Sequence, residues 1–341
     1  MSNFPFKPRV VGWELTLRCN MSCIHCGSCA GKARPNEMTE EEGLSLIEQM
    51  VDLGLEVITL SGGEPLMHPS WPIYAKKLVD ASVSTFMITN GLLLKDSIPK
   101  MKEVGLGRVG ISFDGMEEKH NFIRNHKNSF AIALEAASEA ISQGISVGAV
   151  THVSKANRED LEDMYELFKK RGFSYWQIQL TFSQGRMKEH DDYSLAPEDM
   201  LDIAQFIYEK QQLEALQVVP GDNMGYYCSP PIRDKEWKGC FAGRHLMGVD
   251  ADGAIKGCLS LPREFVEGNI REESLRTIWE DPERFKYNRY FSEDMLAGNC
   301  AGCEKARKCR GGCVVTANAA TGNRFDNPYC VYKAVKQAKK G

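Results

Sequence analysis

Cys19-Asn20-Met21-Ser22-Cys23-Ile24-His25-Cys26 sets three thiols at the spacing C-x3-C-x2-C, directly after an apolar run of Val10, Val11, Trp13, Leu15 and Leu17. Three cysteines so spaced can wrap one face of a cubic iron–sulfur cluster, each holding one iron. Such clusters normally take four thiolates, so a three-thiolate loop leaves one iron open to a ligand that is not protein. A zinc knuckle or a set of reduced structural thiols has the same local spacing. The rest of the chain decides.

With 341 residues, 43% of them hydrophobic, the chain can bury a sizeable core and suits one large domain plus a smaller one. A net charge of −4 and a pI near 6.0 give no basic footprint for nucleic acid. The segment Met1 to Lys7 lacks the apolar core of a signal peptide, and no run long enough for a membrane span occurs, so a cytoplasmic location is expected. Twelve cysteines are the anomaly. Without an export signal, clustered cysteines read as metal ligands rather than disulfides. Lys333 to Lys340 reads as a solvated helix tail.

The first two thirds alternate strand and helix. Strands are expected at Val10 to Leu17, Val57 to Leu60, Thr85 to Thr89, Arg108 to Phe113, Ser146 to Val153 and Tyr175 to Thr181. Thr39-Glu40-Glu41-Glu42 is a capping box for a helix running to about Leu53. Further helices are expected at Trp71 to Ala81, Phe130 to Gln143, Arg158 to Arg171 and about Pro197 to Leu213. Six such units imply an α/β fold of parallel strands with right-handed crossovers, either a partial (β/α)6 barrel or a doubly wound sheet. In both, loops at the C-terminal strand ends carry the chemistry. The cysteines, Gly62-Gly63-Glu64, Asn90-Gly91, and Ser112 with Asp114 all fall at such ends, which points to one active site at one mouth.

These motifs together resemble the radical S-adenosylmethionine (SAM) superfamily over most of the chain. Its C-x3-C-x-Φ-C motif stands here as Cys19, Cys23, His25 and Cys26. The resemblance implies a [4Fe–4S] cluster whose open iron is chelated by the amino and carboxylate groups of SAM, and cleavage of SAM to a 5′-deoxyadenosyl radical. It gives His25 the aromatic place beside the adenine. Gly62-Gly63-Glu64-Pro65 matches the superfamily's GGEP motif: the glycines let backbone approach the ligand, and the Glu64 carboxylate suits an ammonium group. Ser112-Phe113-Asp114-Gly115, followed by His120 and Arg124, resembles the fourth-strand segment of peptide-modifying members. There the serine contacts ribose or carboxylate and the arginine pairs with the SAM carboxylate. Thr89, Asn90 and Leu180 stand where relatives line the SAM pocket, with plain strand-end packing as the alternative. Cys29 reads as a small hydrophobe, since its ligation would close the open iron.

The last third carries a second cysteine system. Cys240 and Cys258 are followed by Cys300-x2-Cys303-x5-Cys309-x3-Cys313 and Cys330, which matches the seven-cysteine SPASM signature. The resemblance implies two auxiliary [4Fe–4S] clusters, three in all. Cys228, Cys240, Cys258 and Cys313 would hold the inner one; Cys300, Cys303, Cys309 and Cys330 would hold the outer one. The expected organisation is a radical SAM barrel at 1–215, a bridge at 216–239 and a cysteine-rich SPASM domain at 240–341.

SPASM relatives mostly modify peptides and proteins, and Gln184-Gly185-Arg186 also looks like those members. Sulfatase-maturating relatives place an Asp beside the ligand equivalent to Cys258, whereas Leu259 stands here and disfavours that chemistry. The leading expectation is oxidative cross-linking of a ribosomally made peptide. Only Met1 to Arg9 precedes the first strand, so a separate leader-binding protein is an expected partner. A reductase such as flavodoxin or ferredoxin is another. The alternative is a small-molecule substrate such as a tetrapyrrole, which requires basic residues inside the barrel, with Lys155, Arg158 and Arg186 as candidates. A non-catalytic electron carrier is the third reading.

Overall fold

The computed structural model describes residues 4–224 and 237–338. Seven parallel strands follow one another: β1 (Val10–Glu14), β2 (Val57–Ser61), β3 (Ser84–Thr89), β4 (Arg108–Ser112), β5 (Ser146–Val153), β6 (Tyr175–Leu180) and β7 (Gln217–Pro220). Between them run α1 (Glu40–Asp52), α2 (Trp71–Asp80), α3 (Leu94–Glu103), α4 (Glu117–Arg124), α5 (Ser129–Ser142), α6 (Leu161–Arg171) and α7 (Met200–Gln212). Neighbours in space are neighbours in sequence from β1 to β7, with no reversal of order. A doubly wound sheet needs a reversal, so the winding is of the barrel kind, with right-handed crossovers advancing in one direction.

Local chemistry fixes the helix entries. Thr39 caps α1: its Oγ1 accepts from the Glu42 amide at 3.3 Å, and its own amide donates to Glu42 Oε2 at 2.8 Å. The inward faces of α1 (Leu46, Ile47, Met50) and α6 (Met164, Tyr165, Phe168) join Trp13, Phe113 and Trp176 of the strand layer in one core. α3 and α4 were not read from the sequence, because Pro99 and a mean polar composition hide their short apolar faces.

β7 lies within the stretch expected as a bridge. It has four residues, ends in Pro220 and pairs with β6 from Tyr175–Gln217 to Ile178–Pro220. So short a strand leaves almost no alternation to read.

The sheet does not stop at β1. β8 (Leu246–Val249) pairs in parallel with the other edge of β1, and β9 (Ala254–Lys256) and β10 (Gly268–Asn269) continue it antiparallel. The cysteine-rich third is therefore joined edge to edge with the barrel. A buried charge cluster fixes the seam: Asp250 takes Lys256 at 2.8 Å, while Arg34 reaches Glu14 at 2.5 Å. At the far edge, Thr316 Oγ1 donates to Asn223 O and Tyr329 Oη to Leu195 O. The mouth is thus covered from two sides.

Candidate active site

The loop after β1 is shaped before its cysteines begin. The Glu37 carboxylate accepts from Thr16 Oγ1, the Leu17 amide and the Arg34 amide, curling the chain toward the sheet end. Cys19, Cys23 and Cys26 then line one cavity of about 190 Å3, together with Gly62, Gly63, Thr89, Asn90, Ser112 and Arg124. His25 lines it too, so ten of the expected residues are gathered in one place.

The two glycines serve the loop as well as the cavity. A Cβ on Gly63 would lie 2.3 Å from Arg18 O and 2.6 Å from Leu17 O, and one on Gly62 would lie 2.3 Å from Thr16 O. Both contacts are with backbone, which cannot yield. The amides of Gly63 and Glu64 bond to Thr16 O and Arg18 O, so β2's end carries the start of the cysteine loop directly.

Glu64 is fully buried. Its carboxylate accepts from Thr89 Oγ1 at 2.7 Å, the Asn90 amide at 2.8 Å and the Leu66 amide at 3.1 Å. A carboxylate has about four lone-pair positions, so one remains. Burial raises its pKa to about 7 despite these donors. Asn90 is held by the same carboxylate and extends Nδ2 to Asn20 Oδ1 at 2.7 Å and toward Cys19 Sγ at 3.9 Å.

Asp114 is the hub of the opposite wall. Oδ2 takes His25 Nε2 at 2.8 Å and Arg124 Nη2 at 2.6 Å, and Oδ1 takes the His152 amide at 2.9 Å. α4 delivers Arg124 because His120, Ile123 and Arg124 share its buried face. Burial would raise the Asp114 carboxyl, but Arg124 and then His25 hold it well below the usual range. Arg124 Nη1 also reaches 3.8 Å from Cys23 Sγ. With Nε2 committed to Asp114, the buried His25 Nδ1 has no partner among the described residues.

Leu180 stands elsewhere. It lines a second cavity of about 360 Å3 with Gln177, Gln179, Thr181, Phe182, Gln184, Asn223, Ser260, Cys258 and Cys313. His25, Gly27 and His152 line both cavities and form the wall between them. His152 was not singled out from the sequence. It sits at the C-terminal end of β5, edge-on to His25 with ring centroids 5.4 Å apart, and burial lowers its pKa to about 4. Position at a strand end was the available signal.

The basic candidates are engaged otherwise. Arg186 clamps the cysteine loop, with Nε on Cys23 O and Nη1 on Ala30 O, both at 2.8 Å. A Cβ on its neighbour Gly185 (φ +58) would lie 2.3 Å from Cys26 O. Arg158 pairs with Asp199, and Lys155 lines a separate surface cavity. Cys29 is exposed, in the left-handed region at φ +53.

The remaining cysteines form two sets. Cys240, Cys258 and Cys313 lie within electrostatic reach of one another; Cys228 falls outside the described residues. Cys300, Cys303, Cys309 and Cys330 line one small cavity. Burial pushes the thiols of Cys19, Cys258 and Cys300 up to about 11 and that of Cys313 to about 12, so in the metal-free chain they are neutral and would lose protons on loading. The donor sets fit thiolate-held clusters. At the mouth they comprise thiols alone, with Arg124 and Asn90 offering N–H groups to two of the sulfurs.

Comparison with known proteins gives the family of each region. Residues 13–168 match the radical SAM superfamily, and residues 240–309 match the SPASM iron–sulfur cluster-binding domain. The chain is 31% identical to the AdoMet-dependent heme synthase of Methanosarcina barkeri, covering 97% of this chain and 98% of that one. It is 25% identical to the mycofactocin maturase MftC of Mycolicibacterium smegmatis, over 94% and 81%. The fold is similar to that of Streptococcus suis SuiB bound to S-adenosylmethionine, with a TM-score of 0.77 at 16% identity, covering 94% of this chain and 76% of that one. This chain is an enzyme of the radical SAM superfamily that carries a SPASM iron–sulfur domain.

Proposed function

We propose that the enzyme oxidatively modifies a ribosomally made peptide, forming a cross-link. The lining of the 360 Å3 cavity carries this reading. Its polar side chains are amides (Gln177, Gln179, Gln184, Asn223), hydroxyls (Thr181, Ser260), two imidazoles and two thiols, set among Leu180, Phe182, Val219 and Val315. Neutral amides and hydroxyls match the alternating donors and acceptors of a peptide backbone. Asn223 already pairs this way, with Nδ2 on Leu180 O at 3.0 Å and Oδ1 accepting from the Leu180 amide at 3.3 Å.

Cys19, Cys23 and Cys26 would hold the cluster that binds SAM, and Gly62, Gly63, Glu64, Thr89, Asn90, Ser112, Asp114 and Arg124 would surround the SAM, with His25 beside its adenine. Bound there, the pair supplies a 5′-deoxyadenosyl radical that removes a hydrogen atom from the substrate. The cavity's other wall, at Cys258 and Cys313, belongs to the inner auxiliary set, so a substrate held there lies between hydrogen removal and electron acceptance. Three clusters, a separate leader-binding protein and a flavodoxin or ferredoxin reductase complete the proposal. Among the described residues no helix is long and apolar enough to cross a membrane.

A second reading is a tetrapyrrole substrate. It is supported by the end-to-end similarity to the heme synthase. Its carboxylates would need cationic partners, whereas the described lining offers amides and hydroxyls.

The test uses anaerobically reconstituted enzyme with SAM and dithionite, offered either precursor peptides encoded beside it or iron-coproporphyrin III. A peptide product lighter by two hydrogens, formed with 5′-deoxyadenosine, supports the first reading. Loss of carboxyl groups from the porphyrin, with peptides untouched, overturns it in favour of the second.

A further inference from the structure

Three arginines converge on Cys240, with no carboxylate of the described residues among them. Among the described residues, none of Arg244, Arg310 and Arg324 forms an ion pair, although each interacts electrostatically with the Cys240 thiol. Arg310 also feels Arg244, and Arg324 feels Arg310, so Arg310 is repelled from both sides. Asn288 ties two of them to the cysteine. Its Nδ2 donates to Cys240 O at 2.9 Å, its Oδ1 accepts from Arg324 Nη1 at 3.0 Å, and its backbone oxygen accepts from Arg310 Nη2 at 2.9 Å. Arg244 Nε and Nη1 and Arg324 Nε are buried with no hydrogen-bond partner among the described residues.

Clustered like charges with orphaned buried N–H groups are costly unless an anion lies among them. A four-thiolate iron–sulfur cluster is such an anion, and one more electron makes it more negative. Nearby cations and N–H donors therefore favour its reduced form and raise its potential.

We propose that Arg244, Arg310 and Arg324 form a cationic collar that raises the reduction potential of the inner auxiliary cluster. This rests on the reading that Cys240, Cys258 and Cys313 hold that cluster. Held there, the oxidised cluster would take up one electron more readily, the donor losing that electron with one proton to solvent. The collar acts on the cluster through space and touches no substrate.

The experiment is a redox titration monitored by electron paramagnetic resonance. It uses the full chain carrying Cys19→Ala, Cys23→Ala and Cys26→Ala, so that only auxiliary clusters report. Arg244→Gln is expected to shift the reduction equilibrium of one cluster at least about tenfold toward the oxidised form, 59 mV lower for a one-electron couple. Arg244→Lys is expected to restore most of the shift. Arg307→Gln, an exposed arginine paired with Glu293, is expected to leave it unchanged. If Arg244→Gln loses the cluster, as iron content reveals, Arg310→Gln is titrated in its place. An unmoved potential with full iron overturns the collar. A separate control, Cys258→Ala with Cys313→Ala, tests the underlying reading: undiminished iron there refutes the ligand set, independently of any potential.

Discussion

Asp114 Oδ2 lies 2.6 Å from Arg124 Nη2, in a wall where both side chains are buried. The pair is charged in the folded chain, because Arg124 and His25 outweigh the burial that opposes ionisation of Asp114. Breaking one side of a buried pair leaves the other charge uncompensated, at a cost of about 3–5 kcal/mol. Asp114→Asn is expected to destabilise the metal-free chain by that amount in urea unfolding. Arg124→Met added to it is expected to recover part of the loss, giving a coupling term in the double-mutant cycle. Additive losses would show that the two side chains are independent.

Gly63→Ala should damage one cluster and spare the rest. The added methyl meets Arg18 O and Leu17 O, the backbone that leads into Cys19. Relief requires the loop to move, and with it the geometry of three thiols. Reconstituted Gly63→Ala is expected to carry about four irons fewer than wild type, with 5′-deoxyadenosine formation lost. Full iron content and wild-type SAM cleavage would mean that the loop tolerates the shift.

What the sequence disclosed and what it hid differ in kind. Signals confined to a few adjacent residues were legible: the cysteine spacing, the Thr39–Glu42 cap, and the alternation of strand and helix that gave the parallel sheet. Relations formed by the sheet closing on itself were hidden. Nothing local to Leu246–Val249 announces that it pairs with β1. Nothing local to Arg186 says that it grips carbonyls at Cys23 and Ala30, 163 and 156 residues earlier. Glu64 shows the same limit. Its motif suggested a ligand contact, and only the fold reveals the three protein donors on its carboxylate.

Glu64 also sets a pH dependence. Burial, the largest influence, raises its pKa from 4.5 to about 7. A carboxyl raised in the folded state binds its proton more tightly there than in the unfolded chain. Its contribution to stability is therefore complete below pH 4.5 and is lost as pH rises through 7, by at most about 3 kcal/mol. His152 and His120, which burial lowers to about 4 and about 3, act in the opposite sense, adding stability as pH rises to 6.5, so Glu64 is read from a difference. The urea midpoint of the metal-free wild type minus that of Glu64→Gln is expected to fall between pH 5 and pH 7.5. Asp114, shifted the other way, contributes its pH dependence only at more acid values, where stability is lost as pH falls. A difference between the two proteins that stays constant from pH 5 to 7.5 would refute the assignment to Glu64.

Arg186 should govern how firmly the mouth holds its iron. Its guanidinium spans two carbonyls on opposite sides of the cysteine loop, and its amide donates to Cys26 O at 3.1 Å. Charge-assisted bonds of this type contribute about 1.5–3 kcal/mol each. The planar fork is what reaches both carbonyls at once, and an ammonium has no equivalent rigid geometry. Arg186→Ala is expected to release iron to a chelator faster from the radical-site cluster alone, with Arg186→Lys in between. The exposed pair Lys76–Asp80 offers a control, since Lys76→Ala alters surface charge far from the loop and is expected to change nothing. Release rates equal to wild type in Arg186→Ala would show that Glu37 and the Gly62-Gly63 contacts hold the loop without the clamp. Equal acceleration at the auxiliary clusters would point instead to a general loosening of the fold.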